Sequence, residues 1–440
     1  MRIAMVGAGY VGLVSGACFA DFGHDVICVE LDKDKVERLK SGEMPIYEPG
    51  LATLVDANTK AGRLLFTTDI AAAVAGADVV FIAVGTPSRR GDGHADLSYV
   101  HIVARDIAHA ISGFTVVVTK STVPVGTGDD VERIMHETRP DADIVVASNP
   151  EFLREGAAIE DFKRPDRIVV GIEDERARAV MSEVYRPLYL NKAPIQFTSR
   201  RTAELIKYAA NAFLAMKITF INEIADLCEV TGGNVQEVAR GIGLDNRIGG
   251  KFLNAGPGFG GSCFPKDALA LVKIGQDYGS PLRLVETTVS INDQRKRAMG
   301  RKVIKACAGD IRNKTIAVLG LTFKPNTDDM REAPSIAIIQ SLHDAGARVR
   351  AYDPEGMQAA RALLGDVTYG ASAYEIAEGA DCLVLVTEWN AFRSLDFGRL
   401  KGLMKTPTLV DLRNVYRRPE VEAHGFAYHS VGRPAADGTV

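Results

Sequence analysis

The sequence lacks the cysteine patterns, the long apolar runs and the basic blocks that would assign it to several large classes of protein. Its six cysteines are scattered without CxxC or cysteine–histidine spacing, so we expect neither a disulfide framework nor a zinc site, and no bound metal. No apolar stretch approaches about 18 residues, which argues against a membrane partner. The opening MRIAMVGAGYVG lacks a charged segment followed by a sustained apolar run, so we expect no signal peptide. Together these absences predict a cytoplasmic protein with reduced thiols.

The net charge and the chain length bear on nucleic-acid binding and on the number of domains. The net charge is -4, and no basic block or alternation of basic and aromatic residues occurs, so we expect no nucleic-acid partner. A chain of 440 residues is too long for one ordinary core, which predicts two or three domains. The segment GRPAADGTV (432–440) has little apolar content and is expected to fray.

The order of the predicted elements indicates an α/β fold. In the first 200 residues, short apolar and β-branched runs alternate with helix-length segments, which is typical of a parallel sheet covered on both faces. The strand candidates there are RIAMV (2–6), DVICV (25–29), VVFIAV (79–84), TVVVT (115–119), DIVVA (143–147) and RIVVG (167–171). A second series comprises KTIAVLG (314–320), ARVRAYD (347–353), CLVLVTE (382–388) and TLVDL (408–412).

Between the two series, residues 200–231 contain no glycine or proline and are dense in strong helix formers. They predict one helix of roughly 45 Å, a length that suits a bridge between domains or a subunit interface. We therefore predict two Rossmann-like doubly wound domains joined by a central helical domain with one long helix. The predicted boundaries are 1–198, 199–300 and 301–440.

A glycine-rich turn follows the first predicted strand. Gly7, Gly9 and Gly12 form a GxGxxG pattern that opens a helical segment, and such a turn admits the pyrophosphate of a dinucleotide at the helix N-terminus. Glu30 ends the second strand, 18 residues beyond Gly12, where a carboxylate accepts hydrogen bonds from a ribose and repels a 2′-phosphate. The pattern favours NAD over NADP. The alternative is a structural turn with a solvated glutamate.

Two threonines follow later strands. Thr86 lies in VGTPS (84–88) and Thr122 in KSTVP (120–124). Ligands of open parallel sheets bind beyond the carboxyl ends of the strands, so both hydroxyls are candidates for cofactor or substrate contact. Taken alone, each threonine fits a local turn or a helix cap before a proline better than a ligand contact.

The segment NPEFLREG (149–156) carries two carboxylates. Pro150 suits the first position of a helix, which would place Glu151 and Glu155 one turn apart on one face. Like charges at this spacing are tolerated where a general base or a substrate-binding carboxylate is needed. A solvated acidic face is the alternative.

Lys207 and Asn211 share a face of the long predicted helix, among small residues in IKYAANAFLA. Lys207 could stabilise an oxyanion while Asn211 holds a hydroxyl or a water. Alternatively, Lys207 extends to solvent and Asn211 bonds a neighbouring loop.

Cys263 lies in NAGPGFGGSCFPKD (254–267), between a glycine-rich loop and the helical segment KDALALVKIG. A thiol near a helix N-terminus has a lowered pKa, and Asp267 would lie one turn further on. A thiol nucleophile together with a hydride-accepting cofactor suggests oxidation of an aldehyde through a thiohemiacetal and a thioester. The other five cysteines lie in apolar patterns and suit packing.

These motifs together resemble the UDP-glucose/GDP-mannose dehydrogenase family of nucleotide-sugar 6-dehydrogenases. The resemblance spans nearly the whole chain in the family's motif order and also includes EPGL (48–51), DNRIG (245–249) and GLTFKPNTDDMREAPS (320–335). It implies an N-terminal NAD domain, a central dimerisation domain and a C-terminal nucleotide-sugar domain. The implied reaction is a four-electron oxidation of the sugar C6 alcohol to a carboxylate with two NAD, and the implied assembly is a homodimer through the long helix.

The resemblance also implies roles for individual residues. Cys263 would be the nucleophile of the second oxidation, Lys207 and Asn211 would stabilise the oxyanion, and Asp267 would assist through a water. The implied water-organising and base positions are Thr122, Glu151 and Glu155. The implied cofactor contacts are Gly7, Gly9, Tyr10, Val11, Gly12, Glu30, Thr86, Thr122 and Arg331. The implied substrate contacts are Glu151, Phe152, Leu153, Glu155, Lys207, Asn211, Arg247 (across the dimer interface), Phe252, Asn254, Phe259, Gly260 and Lys324, with Phe259 and Gly260 acting through backbone.

UDP-glucose is the substrate that the cysteine loop favours, and GDP-mannose and UDP-N-acetylhexosamines are the alternatives. A two-electron β-hydroxyacid dehydrogenase would share the N-terminal and long-helix architecture but would need neither Cys263 nor a third domain. A non-catalytic nucleotide-sugar binder would be expected to have lost Cys263 or Lys207, and the sequence has both.

Overall fold

Two parallel-type sheets, each with helices on both faces, organise the chain. The computed structural model describes residues 1–87, 89, 94–191 and 193–434. Ser88 of the predicted VGTPS turn lies outside the described residues, as do residues 435–440 of the predicted tail. The described chain divides into two units, residues 1–210 with 273–279 and residues 211–272 with 280–440.

The first unit contains an eight-stranded sheet within the described residues. Its strands in chain order are β1 (Arg2–Val6), β2 (Asp25–Val29), β3 (Leu64–Thr67), β4 (Val79–Ile82), β5 (Thr115–Thr119), β6 (Ile144–Ser148), β7 (Ile168–Gly171) and β8 (Ile195–Thr198). Their spatial order is β3-β2-β1-β4-β5-β6-β7-β8. The chain adds strands in one direction from β1 to β3 and in the other direction from β4 onward, and such a switch between β1 and β4 leaves a crevice for a ligand. All pairings are parallel except that of β6 with β7.

Helices cover both faces of this sheet, because its central strands are apolar on both sides. They are α1 (Tyr10–Asp21), α2 (Lys33–Lys40), α3 (Leu51–Lys60), α4 (Ile70–Val74), α5 (Ser98–Ala110), α6 (Thr127–Thr138), α7 (Ala158–Lys163) and α8 (Glu175–Val184), followed by a 3₁₀ segment at Arg186–Asn191. The chain then continues into α9 (Arg200–Thr231), which confirms the predicted long helix.

The second unit combines helices with a six-stranded sheet, counted over the described residues. The helices are the later part of α9, α10 (Val235–Gly243), the first part of α11 (Phe264–Asp277) and α12 (Arg283–Ala306). The strands are β9 (Thr315–Leu319), β10 (Arg348–Tyr352), β11 (Val367–Tyr369), β12 (Cys382–Leu385), β13 (Thr408–Asp411) and β14 (Ala427–Ser430), in the spatial order β11-β10-β9-β12-β13-β14. The remaining helices are α13 (Pro334–Asp344), α14 (Met357–Arg361), α15 (Ala373–Ala377), α16 (Phe397–Leu403) and α17 (Arg418–Ala423), with a 3₁₀ turn at Asn390–Phe392.

One hydrophobic core of the second unit joins its helices to its sheet. Ile221 and Ala225 of α9 and Val303 of α12 belong to the same buried cluster as Ile316 and Val318 of β9. A second cluster covers the opposite face of the sheet. The separate central domain of residues 199–300 stays a prediction, and the packing described here groups residues 211–272 with 280–440.

The α/β class with two doubly wound sheets and a long central helix is confirmed. The predicted strands are present with ends shifted by up to three residues. Four short strands were missed: β3, β8, β11 and β14. β3, β8, β11 and β14 are edge strands, so they lack the continuous apolar pattern of a strand covered on both faces.

A buried lysine holds the ends of the central strands in the first unit. Nζ of Lys120, directly after β5, donates to Oδ1 of Asn149 (3.1 Å) and lies 3.3 Å from the Tyr185 hydroxyl. The Tyr185 hydroxyl donates to the same Asn149 oxygen at 2.5 Å, and Nδ2 of Asn149 donates to the Val169 carbonyl of β7 at 2.7 Å. The lysine therefore fixes the segments that follow β5 and β6.

Burial lowers the pKa of Lys120 to about 8, and the positive charge of Lys207 acts in the same direction, whereas the negative charge of Glu151 opposes it. In the unfolded chain the pKa of a lysine is about 10.4. Between these values the unfolded chain binds more protons than the folded chain, so the Lys120 contribution to the free energy of unfolding rises with pH.

We predict that wild type gains stability relative to Lys120→Met as the pH rises from about 8 to 10, by roughly 3 kcal/mol in full. Urea unfolding midpoints of both proteins at pH 7, 8, 9 and 10 measure this difference, since other titrating groups are common to both. Parallel midpoint curves over this range would contradict the assignment of the low pKa to Lys120.

Candidate active site

The glycine-rich turn after β1 has the geometry of a phosphate-binding loop. Gly7 has φ of +104°, and a Cβ atom there would lie 2.6 Å from the Ala83 carbonyl after β4. A Cβ atom at Gly12 would overlap the carbonyl of Gly7, whereas at Gly9 no protein atom lies within 4 Å. Gly9 also directly precedes the twelve-residue α1, whose start has no side-chain cap. The turn therefore leaves backbone N–H groups and open space at Gly9, which fits the pyrophosphate of NAD.

Glu30 follows β2, as predicted. Its Oε1 accepts the Leu31 N–H at 2.9 Å, and its Oε2 pairs with Nζ of Lys35 at 2.8 Å. A contact of Glu30 with a ribose stays a prediction. Lys35, which the sequence argument passed over, lies in α2 and is fixed to the same carboxylate.

The two predicted threonines meet at the carboxyl ends of neighbouring strands. The Thr86 hydroxyl donates to the Thr122 carbonyl at 2.9 Å, and the Ser121 hydroxyl donates to the Val84 carbonyl at 2.7 Å. These bonds join the segments after β4 and β5 beside the β1 turn. The partner of the Thr86 hydroxyl lies 36 residues away in the chain, which differs from the local turn or helix cap given as the alternative.

The predicted helix over NPEFLREG is wrong. Residues 151–154 have no regular structure, and α7 begins only at Ala158. Side chains take the backbone N–H groups of this segment: Oε2 of Glu151 accepts the Leu153 N–H at 2.5 Å, and the Arg154 N–H donates to Asp161 at 2.9 Å. Such local bonds compete with a helix, so Glu151 and Glu155 do not form a helical i,i+4 pair.

Glu151 and Lys207 form a buried ion pair within the first unit. Nζ of Lys207 lies 3.0 Å from Oε1 of Glu151, and the two side chains are 3% and 5% exposed. The ammonium also lies 5.4 Å from the centre of the Phe152 ring, which stacks on Arg167. This pairing replaces the alternative in which Lys207 extends to solvent.

Glu204, one turn before Lys207 on α9, was not singled out from the sequence. Its carboxylate accepts the N–H groups of Gly126 (2.7 Å) and Gly128 (2.8 Å) and the Ser148 hydroxyl (2.9 Å). Burial raises the pKa of Glu204, and these three donors act against that rise. The contact joins the start of α9 to the segment that follows Thr122.

Asn211 and Asp267 form a buried hydrogen bond in the second unit. Nδ2 of Asn211 donates to Oδ2 of Asp267 at 2.6 Å, and Oδ1 of Asp267 pairs with Lys266 at 3.0 Å. The Asp267 N–H donates to the Cys263 carbonyl at 2.8 Å. Since α11 begins at Phe264, the predicted helix directly after Cys263 is confirmed. Cys263 is partly exposed, whereas the other five cysteines of the chain are buried.

The loop before Cys263 is packed tightly against protein. A Cβ atom at Gly258 would lie 2.8 Å from Oδ1 of Asn292, one at Gly260 would overlap the Glu332 carbonyl, and one at Gly261 would lie 2.7 Å from the Phe323 ring. These neighbours alone require glycine at the three positions.

Asn292 of α12 holds the middle of this loop. Its Oδ1 accepts the Phe259 N–H at 2.8 Å, and its Nδ2 donates to the Phe259 carbonyl at 3.0 Å. Arg295, one turn further along α12, donates through Nε to the Gly256 carbonyl at 2.7 Å. Neither residue was singled out from the sequence, because a lone asparagine or arginine in a helix carries no distinctive pattern.

Four further residues of the second unit were predicted to contact the substrate or the cofactor, and their partners within the protein differ. Phe252 has φ of +65°, a strained conformation for a bulky residue, and its ring lies 6.0 Å from that of Phe264. Arg331 pairs with Asp329 (2.8 Å), and its carbonyl accepts the Gly261 N–H. Nζ of Lys324 lies 5.2 Å from the Phe323 ring. Asn254 is exposed.

Arg247 is 89% exposed and pairs with Asp245 at 2.6 Å. Its segment is bound to α9, because Nζ of Lys217 donates to the carbonyls of Ile248 (3.0 Å) and Gly249 (3.2 Å).

Two features are absent from the described residues, a membrane-spanning helix and a metal site. No helix among them is both long and apolar enough to cross a membrane. No group of three or more histidine, cysteine, aspartate or glutamate side chains within the same residues is arranged to hold a metal ion.

Comparisons with known proteins agree with this arrangement. Three models of the UDP-glucose/GDP-mannose dehydrogenase family match the chain: the NAD-binding domain over residues 1–189, the central domain over 201–294 and the UDP-binding domain over 317–418. The first unit thus carries the NAD-binding domain.

Individual relatives cover the chain almost completely. It is 71% identical to a UDP-glucose 6-dehydrogenase of Rhizobium meliloti over 99% of this chain and 100% of that one. Its fold matches a UDP-glucose dehydrogenase of Pyrobaculum islandicum (TM-score 0.90, 39% identity, 98% and 97% coverage) and a UDP-D-ManNAc dehydrogenase of Pyrococcus horikoshii (TM-score 0.86, 27% identity, 100% of both chains). The chain therefore belongs to the UDP-glucose/GDP-mannose dehydrogenase family and is an NAD-dependent dehydrogenase.

Proposed function

We propose that this enzyme oxidises the C6 alcohol of UDP-glucose to the carboxylate of UDP-glucuronate in two successive steps. The alcohol, two NAD⁺ and one water give the carboxylate, two NADH and three protons. The 71% identity to a UDP-glucose 6-dehydrogenase and the match of residues 317–418 to a UDP-binding domain support this substrate.

When bound, NAD⁺ supplies the hydride acceptor for both oxidations. The open backbone at Gly9 and the start of α1 support binding of its pyrophosphate there. We propose that Glu30 binds the adenosine ribose and that Arg331 approaches the cofactor. The full set of proposed cofactor residues is Gly7, Gly9, Tyr10, Val11, Gly12, Glu30, Thr86, Thr122 and Arg331.

For the first oxidation, we propose that Lys207 and Asn211 stabilise the negative charge that develops on the C6 oxygen. The buried ion pair of Lys207 with Glu151 supports this role, because it holds the ammonium away from bulk water at a fixed place. Thr122, Glu151 and Glu155 occupy the water-organising and base positions of this proposal, and the hydroxyl proton passes to one of the two carboxylates.

For the second oxidation, we propose that Cys263 is the nucleophile. Its sulfur bonds to C6 of the aldehyde while a proton is added to the C6 oxygen, which gives a thiohemiacetal. Loss of a hydride from C6 to NAD⁺ and of the hydroxyl proton then leaves a thioester. Water then adds to C6, the carbon–sulfur bond breaks, and the thiol regains its proton. Partial exposure of this one cysteine at the start of α11 supports the role. Asp267, bonded to Asn211 and one turn beyond the thiol, assists the proton transfer from water.

We propose that the sugar and the nucleotide contact Phe152, Leu153, Phe252, Asn254, Phe259, Gly260 and Lys324, in addition to the residues named above. The strained backbone of Phe252 supports its place in this set, since such strain is concentrated at functional sites. GDP-mannose and UDP-N-acetylhexosamines remain the alternative substrates, and the UDP-D-ManNAc dehydrogenase fold match supports the second of them at only 27% identity.

We also propose that the enzyme is a homodimer joined through α9. An apolar seam of Phe213, Met216, Phe220, Leu227 and Val230 advances in steps of three, four and seven residues, the spacing of a helix that packs on a second helix. Its Phe213, Phe220, Leu227 and Val230 side chains are 49% to 58% exposed within one chain. Arg247, on the segment bound to α9 by Lys217, would reach the substrate of the partner subunit.

The chemistry supports a place in the cytoplasm. The proposed nucleophile must remain a free thiol, and a reducing compartment keeps it so. All six cysteines of this chain are free.

With UDP-glucose as the limiting substrate, we predict about two NADH per sugar consumed, because two hydrides leave C6. Absorbance at 340 nm after complete conversion measures the yield, and GDP-mannose in place of UDP-glucose is the control. One NADH per sugar, or turnover with GDP-mannose alone, would contradict the proposed function.

Cys263→Ser is expected to lower the formation of UDP-glucuronate by at least about a thousandfold, because a hydroxyl replaces the nucleophile. Binding of NAD⁺, measured by calorimetry, should remain at the wild-type level. Cys228→Ser, which alters a buried cysteine of α9 in the core of the second unit, is the matched control and should keep its activity. A fully active Cys263→Ser enzyme would exclude the covalent route.

Phe220→Glu is expected to convert a dimer to a monomer, since a charge would be buried in the seam. Size-exclusion chromatography with light scattering measures the mass, and wild type should have twice the mass of one chain. The control is Leu363→Glu, which places the same charge on an exposed leucine of the second unit outside α9. A monomeric wild-type enzyme, or an unchanged mass for Phe220→Glu, would rule out the seam as the interface.

A further inference from the structure

Three segments of the first unit meet at one buried carboxylate, Glu48. Its side chain accepts a hydrogen bond from the Tyr10 hydroxyl through Oε2, and the same oxygen accepts the Gly156 N–H at 2.6 Å. Its Oε1 accepts the Ala158 N–H at 2.8 Å. The Gly156 N–H also lies 3.2 Å from the Tyr10 hydroxyl. Glu48 is 7% exposed, and it belongs to the EPGL motif, which has so far received no role.

The two sides of this cluster carry different parts of the proposed site. Tyr10 is the first residue of α1 and lies in the glycine turn that fits NAD. Gly156 follows Glu155 directly, and Ala158 begins α7 at the end of the irregular segment that starts with Glu151. One carboxylate therefore joins the cofactor turn to the segment of the candidate base.

Glu48 itself is rigidly placed. Its carbonyl accepts the Leu51 N–H at 3.1 Å at the start of α3, next to Gly50, which has φ of +83°. Leu51 is fully buried. The backbone of Glu48 is thus held at the start of α3, and its carboxylate is held by the three donors that it accepts.

The protonation state of Tyr10 suits its role as a donor to Glu48. Burial raises the pKa of Tyr10, and the hydrogen bond to Glu48 and the nearby charges of Glu48 and Glu155 raise it further. Tyr10 is therefore a neutral donor at working pH, and the carboxylate has three donors for its buried charge. Bonds of this charge-assisted kind are short and strong. Loss of the acceptor would leave the buried Ala158 N–H unpaired and the Gly156 N–H with the Tyr10 hydroxyl alone.

We propose that Glu48 is a positioning residue that transmits occupancy of the NAD site to residues 151–158, so that the candidate base is fixed when the cofactor is bound. The roles of Glu151 and Glu155 in this statement depend on the proposed function, whereas the link between the NAD turn and residues 151–158 does not. Glu48 touches neither substrate nor cofactor in this role.

Hydrogen exchange followed by mass spectrometry tests the link without any catalysis. The full-length wild type and Glu48→Gln are compared with and without saturating NAD⁺, in the absence of a sugar nucleotide. In wild type, NAD⁺ should slow exchange at the start of α1 and also over residues 151–163. In Glu48→Gln, the second segment should exchange about tenfold faster and should no longer respond to NAD⁺.

Two further variants separate positioning from general loss of stability. Tyr10→Phe removes one hydroxyl and keeps the Glu48 bonds to Gly156 and Ala158, so it should abolish the NAD⁺ response of residues 151–163 with a smaller rise in their basal exchange. This variant also keeps the test available if Glu48→Gln does not fold. Asp174→Ala removes the cap of α8, where Asp174 accepts the Ala177 N–H at 3.0 Å, and should change exchange only there.

Steady-state kinetics provide a second measure. Glu48→Gln should lower kcat by about ten- to a hundredfold, the effect of a misplaced catalytic group, with a smaller rise in the KM for NAD⁺. A response of residues 151–163 to NAD⁺ that survives in Glu48→Gln, or its absence in wild type, would overturn the proposal. Failure of wild type to oxidise UDP-glucose would instead overturn the proposed function and leave the exchange results to stand.

Discussion

The buried ion pair of Lys207 and Glu151 is the constraint on which the site of the first unit depends. Two opposite charges removed from water must remain paired, because either one alone would be strongly destabilising. The pair therefore fixes the first turns of α9 against the segment that follows β6. Glu204 adds a second attachment of the same helix, to the segment that follows Thr122. The hydrogen bond of Lys120 to Asn149 joins the ends of β5 and β6 in the same unit. The position of each proposed catalytic group in this unit follows from these attachments.

The sequence predicts the architecture well because the architecture is repetitive. Apolar strands, intervening helices and an uninterrupted 32-residue helix each leave a periodic pattern. The helix after Cys263 was equally clear, since a glycine-rich loop precedes strong helix formers. The segment of Glu151 was predicted wrongly, because proline at a first position and two glutamates one turn apart do suit a helix. Side-chain bonds to the backbone N–H groups decide against the helix. One of them joins the Arg154 N–H to Asp161, and this contact is visible only in the folded chain.

Four residues to which the sequence analysis assigned no role share one property. Glu48, Lys120, Glu204 and Asn292 are buried polar groups whose partners are distant in the chain. Their value comes from hydrogen bonds across 29 to 110 residues, and no local spacing records such a bond. Burial makes them costly unless every bond is formed. For that reason they hold loops in one arrangement, and the loops they hold carry the candidate catalytic residues.

The glycines before Cys263 illustrate how a sequence argument can find the right feature for an incomplete reason. The resemblance to the family implies that Phe259 and Gly260 contact the sugar through backbone, whereas the neighbours Asn292, Glu332 and Phe323 already occupy the space of the absent side chains. This packing leaves the loop little freedom to change. At Gly258 a smaller residue at position 292 would remove the overlap and release the Phe259 backbone, yet the φ of +107° would still strain any other residue. Substitution of these glycines is therefore expected to destabilise the loop even when a neighbouring side chain changes with it.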